Sequence, residues 1–410
     1  MTTSAAPAVT SPASRQPSPA PDRTRIVSID VFRGFVMFLM LAEVMHLWTL
    51  HQAFPDSTFW AIVAFNTTHV PWQGCSLHDL IQPAFSFLAG ASLPFSIASR
   101  KGRGETFGQM LGHAVWRSVL LMLLGIFLRS MESRQTYWTF EDTLTQIGLG
   151  YTFLFLLAFT SFRTQVIAFV AILVGFWTAF VLYPLPGPNF DYAAVGVPAD
   201  WPHLYTGFLA HFNKNSNLSW AFDVWFLNLF PRQSPFLFNE GGWSTLSFIP
   251  TLATMMLGMW SGEWLKSSRS REVKFRGLAM SGVALMLAGL ILQWVHLNPI
   301  IKRIWTSSYT LYSGGLILLI LAGLYFVTEI KGWRRWAFPL LVIGANSIAI
   351  YVMSWTIEHF ISSALIRHFG TAPFLILGPA FEPVLRGIGV LIVFWLILYW
   401  MYRRKIFLRI

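Results

Sequence analysis

Residues 308–328 read SYTLYSGGLILLILAGLYFVT, a run without a single Asp, Glu, Lys or Arg. A helix needs roughly 20 mostly apolar residues to cross a bilayer, and only a helix satisfies its backbone polar groups internally over such a run. Comparable runs lie near 35–52, 80–99, 112–130, 144–161, 165–184, 245–265, 276–296, 336–358 and 383–402. The sequence therefore predicts an all-α fold, a polytopic membrane helix bundle of about ten transmembrane helices. Composition agrees: of 410 residues, 55% are hydrophobic and 11% charged, against the roughly 25% charged residues of a soluble domain. A chain of this length cannot cover itself with a polar surface, which excludes a cytosolic enzyme. The single cysteine, Cys75, excludes an intrachain disulfide, a CxxC redox pair and any multi-thiolate metal site; no metal is expected.

The formal charge of +11 would raise nucleic-acid binding in a soluble protein, but its distribution argues otherwise. With the N-terminus inside, the segments between spans that face the cytoplasm collect 20 of the 29 Lys and Arg, from Arg33 and Arg100 through Arg271 and Arg334 to Arg403 and Lys405. That is the positive-inside arrangement. Both termini are then cytoplasmic, the partner of the basic face is the lipid bilayer, and no nucleic acid is implied. Residues 1–25, rich in Ala, Pro, Ser and Thr, read as a disordered cytoplasmic tail. They are not a signal peptide, because the apolar stretch that follows is long and leads into further spans. The outside face holds the loop near 53–78, the segment 185–244 with Trp201, Trp220, Trp225 and Trp243, and the region 359–382. The aromatic external segment reads either as a lid over the bundle or as an interfacial aromatic belt.

Polar groups placed where apolar ones would serve are the informative ones in such a chain. Asp30 and Arg33 open the first span three residues apart, on one helix face, followed by Glu43 and His46. A second cluster runs His69, Trp72, Gly74, Asp79, Pro83, Phe85, Phe87, Gly90 into the second span. Gly90 and Ser92 permit close approach of a neighbour. The third is Gly344-Ala345-Asn346-Ser347, which either glues helices together or orients a substrate. No P-loop, HExxH, GxSxG or GxGxxG constellation is present.

The run DVFRG at 30–34, the block from His69 to Gly90, GANS at 344–347, Asn239-Glu240-Gly241, Trp305 to Tyr309 and YRRKIF at 402–407 together resemble the heparan-alpha-glucosaminide N-acetyltransferase family and its bacterial relatives. The likeness is spread in order over the whole membrane portion. It implies that 26–410 is a transmembrane acyltransferase domain carrying the external segment 185–244. Such a domain takes acetyl from cytoplasmic acetyl-CoA and delivers it to a periplasmic sugar acceptor, an amino sugar in the family. The family's active-site histidine maps onto His69, either as an acetyl carrier or as a general base in direct transfer. The residues fit: acyl transfer to an amine needs a base titrating near neutrality, and Asp79 could hold the imidazole in one tautomer. Arg33, with Asp30 beside it, is the candidate for the CoA phosphates. Trp72, Asn346, Ser347 and Glu240 are the candidates for the acceptor, with Asn346 and Trp72 also considered for the oxyanion. Dimeric family members make a homodimer the expected assembly.

Two stretches depart from the pattern. Where relatives carry an Asn-containing stretch before the histidine, this chain reads Ala42-Glu43-Val44-Met45-His46, and the connection from there to His69 is longer by roughly ten residues. The lysosomal relative also has an N-terminal lumenal domain and an extra span before the DVFRG-like run, so the expectation here is a multi-pass protein of a bacterial inner membrane. The alternative is a sugar permease without acyl transfer, with the polar clusters forming a midplane site; no echo of the 69–90 block occurs in the second half, which favours the enzyme. A scaffold whose motifs only pack helices is the blandest reading.

Overall fold

The computed structural model describes residues 26–408, so the expected tail over 1–25 lies outside the described residues. These fold into α1 (Val27–Ala42), α2 (Thr49–Ala53), α3 (Thr58–Thr67), α4 (Ile81–Lys101), α5 (Phe107–Arg129), α6 (Thr143–Leu157), α7 (Phe162–Leu182), α8 (Leu218–Phe226), α9 (Phe248–Lys266), α10 (Arg271–Trp294), α11 (Ser307–Tyr325), α12 (Phe338–Ala345), α13 (Ser347–Thr356), α14 (Glu358–Phe369) and α15 (Glu382–Arg403). Among the described residues there is no strand. Six helical stretches are long and apolar enough to cross a membrane: His78–Lys101, Phe107–Arg129, Phe162–Leu182, Arg271–Trp294, Ser307–Ile330 and Pro379–Arg403. The pair α12 and α13, bent by 68°, makes up to a seventh. The chain is a multi-pass helical membrane protein.

The other expected spans are helices too, but α1 has 16 residues and α6 has 15. The 19-residue α9 carries Glu263 and Lys266 near its end and is buried over most of its circumference. It is the central post of the bundle. Gly90 of α4 lies against the Met255 carbonyl of α9, Gly258 against the Phe87 carbonyl and Gly262 against the Ala91 carbonyl, so a methyl at any of the three would strike backbone. Small residues thus let two membrane helices touch main chain to main chain, the close approach the sequence attributes to Gly90. Gly34 and the Leu340 carbonyl repeat the device between α1 and α12.

Side-chain caps set several helix starts. Thr106 and Gln109 form a reciprocal capping box on α5, and Asp142 accepts from the Leu144 and Thr145 amides to start α6. At the first span the expected boundaries shift. The helix covers 27–42 rather than 35–52, ends in a 3-10 turn at Glu43–Met45, and is followed by His46 with φ 47°. Asp30 is tolerated in its first turn because an acid there complements the helix dipole. Glu43 and His46 therefore lie beyond the helix end, not within an apolar run.

Candidate active site

Ten residues of loop fold around one carboxylate. Asp79 sits in a 3-10 turn, His78–Leu80, that leads directly into α4. Its Oδ2 accepts from the Val70 amide (3.2 Å), the Ser76 amide (3.0 Å) and the Ser76 hydroxyl (3.0 Å). Its Oδ1 lies 2.8 Å from His69 Nδ1 and 3.3 Å from Lys302 Nζ. The Tyr309 hydroxyl donates to the Asp79 carbonyl at 2.7 Å, which ties the loop to α11. Lys302 arrives because the segment after α10 pairs with this loop: Gln73 bridges Ile301 and the Gly74 amide donates to the Ile300 carbonyl at 2.9 Å. Gly74 has φ 117° there, a conformation open to glycine.

The imidazole is much the most exposed of the three groups: the His69 side chain is 36% exposed, Asp79 1% and Lys302 3%. A ring nitrogen 2.8 Å from a carboxylate oxygen must carry the proton, so Nδ1–H donates to Asp79 and Nε2 keeps its lone pair. Lys302 Nζ, 3.2 Å from Nδ1, is then a close cation rather than a donor to the ring. Burial pushes the His69 imidazole below its ordinary value, Lys302 and Arg303 push the same way, and Asp79 opposes them. Burial thus favours the free base over the imidazolium. Burial likewise lowers the Lys302 ammonium, and Asp79 opposes that shift. Around the ring, His78 packs at 4.5 Å between centroids and Trp243 edge-on at 5.8 Å. Lys302 and Arg303 each lie 5.0 Å from the Trp243 ring.

His69 opens into a cavity of about 400 Å³ whose walls include Glu43, His46, His78, Glu141, Trp243 and Glu358. A second cavity, about 1100 Å³, lies toward the other end of the bundle and is lined by Arg33, Arg117, Arg403 and Lys405 with Asp30 and Ser347. Phe85, Thr143 and Tyr351 line both. Arg33 bonds Asp30 at 3.2 Å, and Arg117 donates to the Tyr151 hydroxyl at 3.0 Å while lying on its ring. Among the described residues no group of three or more His, Cys, Asp or Glu is placed to hold a metal ion.

Two heparan-alpha-glucosaminide N-acetyltransferases are similar to this chain along most of its length: the human protein, 25% identical over 390 residues, and the mouse protein, 24% identical over 380 residues. The chain is a distant relative of heparan-alpha-glucosaminide N-acetyltransferase. The alignments cover 85% and 82% of the chain but 55% and 54% of the relatives, so it spans about half the length of the curated relatives it matches. No family model matches the chain.

Within this distant heparan-alpha-glucosaminide N-acetyltransferase relative, the residues singled out in the sequence divide. His69 and Asp79 come together, and Arg33, Asp30 and Ser347 meet on the larger cavity. Trp72, Asn346 and Glu240 line neither cavity. Trp72 is fully buried with its indole N–H donating to the Phe212 carbonyl. Asn346 is fully buried at the α12–α13 break, where its amide donates to the Ile406 carbonyl and accepts from the Leu408 amide, pinning the C-terminal segment. Main chain thus takes the Trp72 indole N–H and, at Asn346, the amide oxygen and one amide N–H. Glu240 is exposed beside Gly241, whose carbonyl takes a bond from Arg303. The sequence reading passed over Lys302, Arg303 and Arg117. One signal was available: Lys302 and Arg303 stand together among apolar residues outside the segments that hold most of the basic charge.

Proposed function

We propose that the protein is a transmembrane acetyltransferase of ten spans with both termini in the cytoplasm, moving acetyl from cytoplasmic acetyl-CoA to a sugar acceptor, an amino sugar, on the periplasmic face of a bacterial inner membrane. The observation that carries this reading is the pair of abutting cavities. One is lined by Arg33, Arg117, Arg403 and Lys405, and the other by the His69 imidazole. Four cations lining one cavity suit the phosphates of CoA, since Arg and Lys recognise phosphate oxygens by charge-assisted bonds. The thin arm of the donor would then lead its thioester past Phe85, Thr143 and Tyr351 toward His69.

At His69 two routes use the same groups. In direct transfer, Nε2 takes a proton from the acceptor nitrogen as that nitrogen attacks the thioester carbon. The C–S bond then breaks, and the imidazolium returns the proton to the departing sulfur. In the two-step route Nε2 itself attacks, the C–S bond breaks to release the thiolate, and the acetyl-imidazolium passes acetyl to the acceptor nitrogen, whose proton is lost to the thiolate or to water as the neutral imidazole is freed. In both, Asp79 fixes Nδ1–H and stabilises the positive ring, and Lys302 keeps Asp79 paired when the ring is neutral.

The test uses sealed proteoliposomes of known protein orientation. Radiolabelled acetyl-CoA is enclosed on the basic side, glucosamine is supplied on the other, and His69→Ala serves as control. Label on the outside sugar with the wild type alone supports the reading. Sugar flux without acetylation would favour a permease and refute it.

A further inference from the structure

Two titratable side chains lining the His69 cavity have no part in the chemistry above, Glu43 and His78. They arrive from different elements. Glu43 begins the 3-10 turn that closes α1, in a stretch where this chain departs from the pattern of its relatives, and His78 begins the turn that leads into α4. The His78 side chain is 7% exposed and its ring makes no hydrogen bond among the described residues. A buried polar ring without a partner is costly, and on a cavity wall it marks where a ligand's polar group would satisfy it. His78 Nε2 stands 3.8 Å from Glu43 Oε2, beyond hydrogen-bond distance. The same ring packs on His69, 4.5 Å between centroids. A group seated between Glu43 and His78 is therefore a neighbour of the His69 imidazole.

The charge there suits a cation. Glu43 is 66% exposed, and among the described residues no Lys or Arg comes within ion-pair distance of it. Glu358 lines the same cavity, close enough for the two carboxylates to act on each other. The cations of the cavity are engaged elsewhere. Lys302 pairs with Asp79 at 3.3 Å, and Arg129 lies on the Trp355 ring and near Glu141 and Asp142. An ammonium carries three N–H donors, enough for the Glu43 carboxylate and for His78 Nε2 when the ring proton sits on Nδ1. A hydroxyl has one hydrogen, so it satisfies one of the two and brings no charge.

We propose that Glu43 and His78 form an ammonium subsite, which holds the amine of the acceptor beside His69 and selects amines over alcohols. The proposal rests on the acyl-transfer reading above and names the groups that recognise its acceptor. Before the nitrogen attacks, the ammonium passes one proton to the Glu43 carboxylate, which is open to water and releases it there. The second proton leaves as the amide forms, by the routes already given.

Glucosamine and glucose make the comparison, since the second carries a hydroxyl in place of the amine. In equilibrium binding to the full chain at neutral pH, without acyl donor, wild type should hold glucosamine about tenfold or more tighter than glucose, the worth of a charge-assisted bond. In Glu43→Gln the two affinities should come within about threefold, while acetyl-CoA binding stays as in wild type. Glu43→Asp, which keeps the charge on a shorter stem, should retain part of the preference. His78→Phe, which keeps a ring against His69 and removes the nitrogens, should lower the preference as well. Glu43 is exposed enough that Glu43→Gln leaves the packing intact, so the measurement does not depend on the buried variant folding. Equal binding of the two sugars by wild type, or a preference unchanged in Glu43→Gln, would overturn the subsite while leaving acyl transfer standing. Preferential binding of glucosamine without acetyl transfer to any acceptor would instead remove the reading beneath it, and with it the place of the subsite in this reaction.

Discussion

Replacing Lys302 by Met takes a buried cation out of the site while keeping a long apolar stem. Nζ lies 3.2 Å from His69 Nδ1 and 3.3 Å from Asp79 Oδ1, so it repels a proton on the imidazole and partly neutralises the carboxylate that attracts one. Both effects have the same sign, and their loss makes His69 easier to protonate. Unit charges about 4 Å apart interact by about 1 kcal/mol in water and about 4 kcal/mol at an effective dielectric near 20. At about 1.4 kcal/mol per pKa unit, His69 rises by about one to three units. Its native value lies below the ordinary histidine range, through burial first and then through Lys302 and Arg303 acting against Asp79. A rate that requires the neutral imidazole grows as pH rises through that value. The acidic limb of the kcat/KM profile should therefore move up by about one unit or more in Lys302→Met. The variant should be slow near neutrality and recover in alkaline buffer. The assay is acetyl transfer in proteoliposomes across the pH range, with thermal unfolding to confirm a folded variant, since Asp79 loses a buried partner. An acidic limb that stays in place beneath a lowered plateau would refute the electrostatic argument and leave Lys302 a purely structural residue.

Arg33→Ala and Arg117→Ala, each on the wall of the larger cavity, should weaken acetyl-CoA binding by roughly 10- to 100-fold, the worth of one charge-assisted bond, with kcat changed far less; unaltered affinity in equilibrium binding would remove these residues from the donor site. In the segment between α7 and α9, burial raises the Asp223 carboxyl to about 7, against bonds from the Thr245 amide that pull it down. A folded-state value above the unfolded one means that stability is fully present below about pH 4 and is lost as pH rises through about 7. Asp223→Asn keeps an acceptor for the Thr245 amide, which donates to Asp223 Oδ2 at 2.9 Å, and removes the buried charge. The variant should melt higher than wild type above neutrality and show a flatter dependence of Tm on pH; a dependence identical to wild type would show that Asp223 does not carry it.

Much of the helical architecture was legible along the chain, because apolar runs and caps such as Thr106 and Asp142 are local: a helix satisfies its own backbone wherever it lies. The His69–Asp79 pairing was legible for the same reason, since ten residues separate the two and the loop between them has no other carboxylate to fold around. Where polar signals were misread, the cause was non-local. Trp72 and Asn346 looked poised for a substrate, yet the Phe212, Ile406 and Leu408 backbone groups that occupy them are far away in sequence. Glu43 and His46 looked like charges inside a span until one 3-10 turn placed them on the cavity wall.

The sequence by itself determined that the chain is a bundle of apolar helices with its basic residues grouped between them, and placed a histidine and an aspartate ten positions apart at the mouth of one helix. Only the tertiary structure decided what surrounds that pair. Lys302 stands 233 positions from His69 and reaches it because one isolated bridge joins two loops. The junction of the two cavities at Phe85, Thr143 and Tyr351 draws on three helices. Local propensity and hydropathy act over a few turns of chain, whereas the charge around an imidazole and the lining of a cavity depend on which helices pack together, and that is set by close approaches such as that of Gly90 in α4 to the Met255 carbonyl of α9.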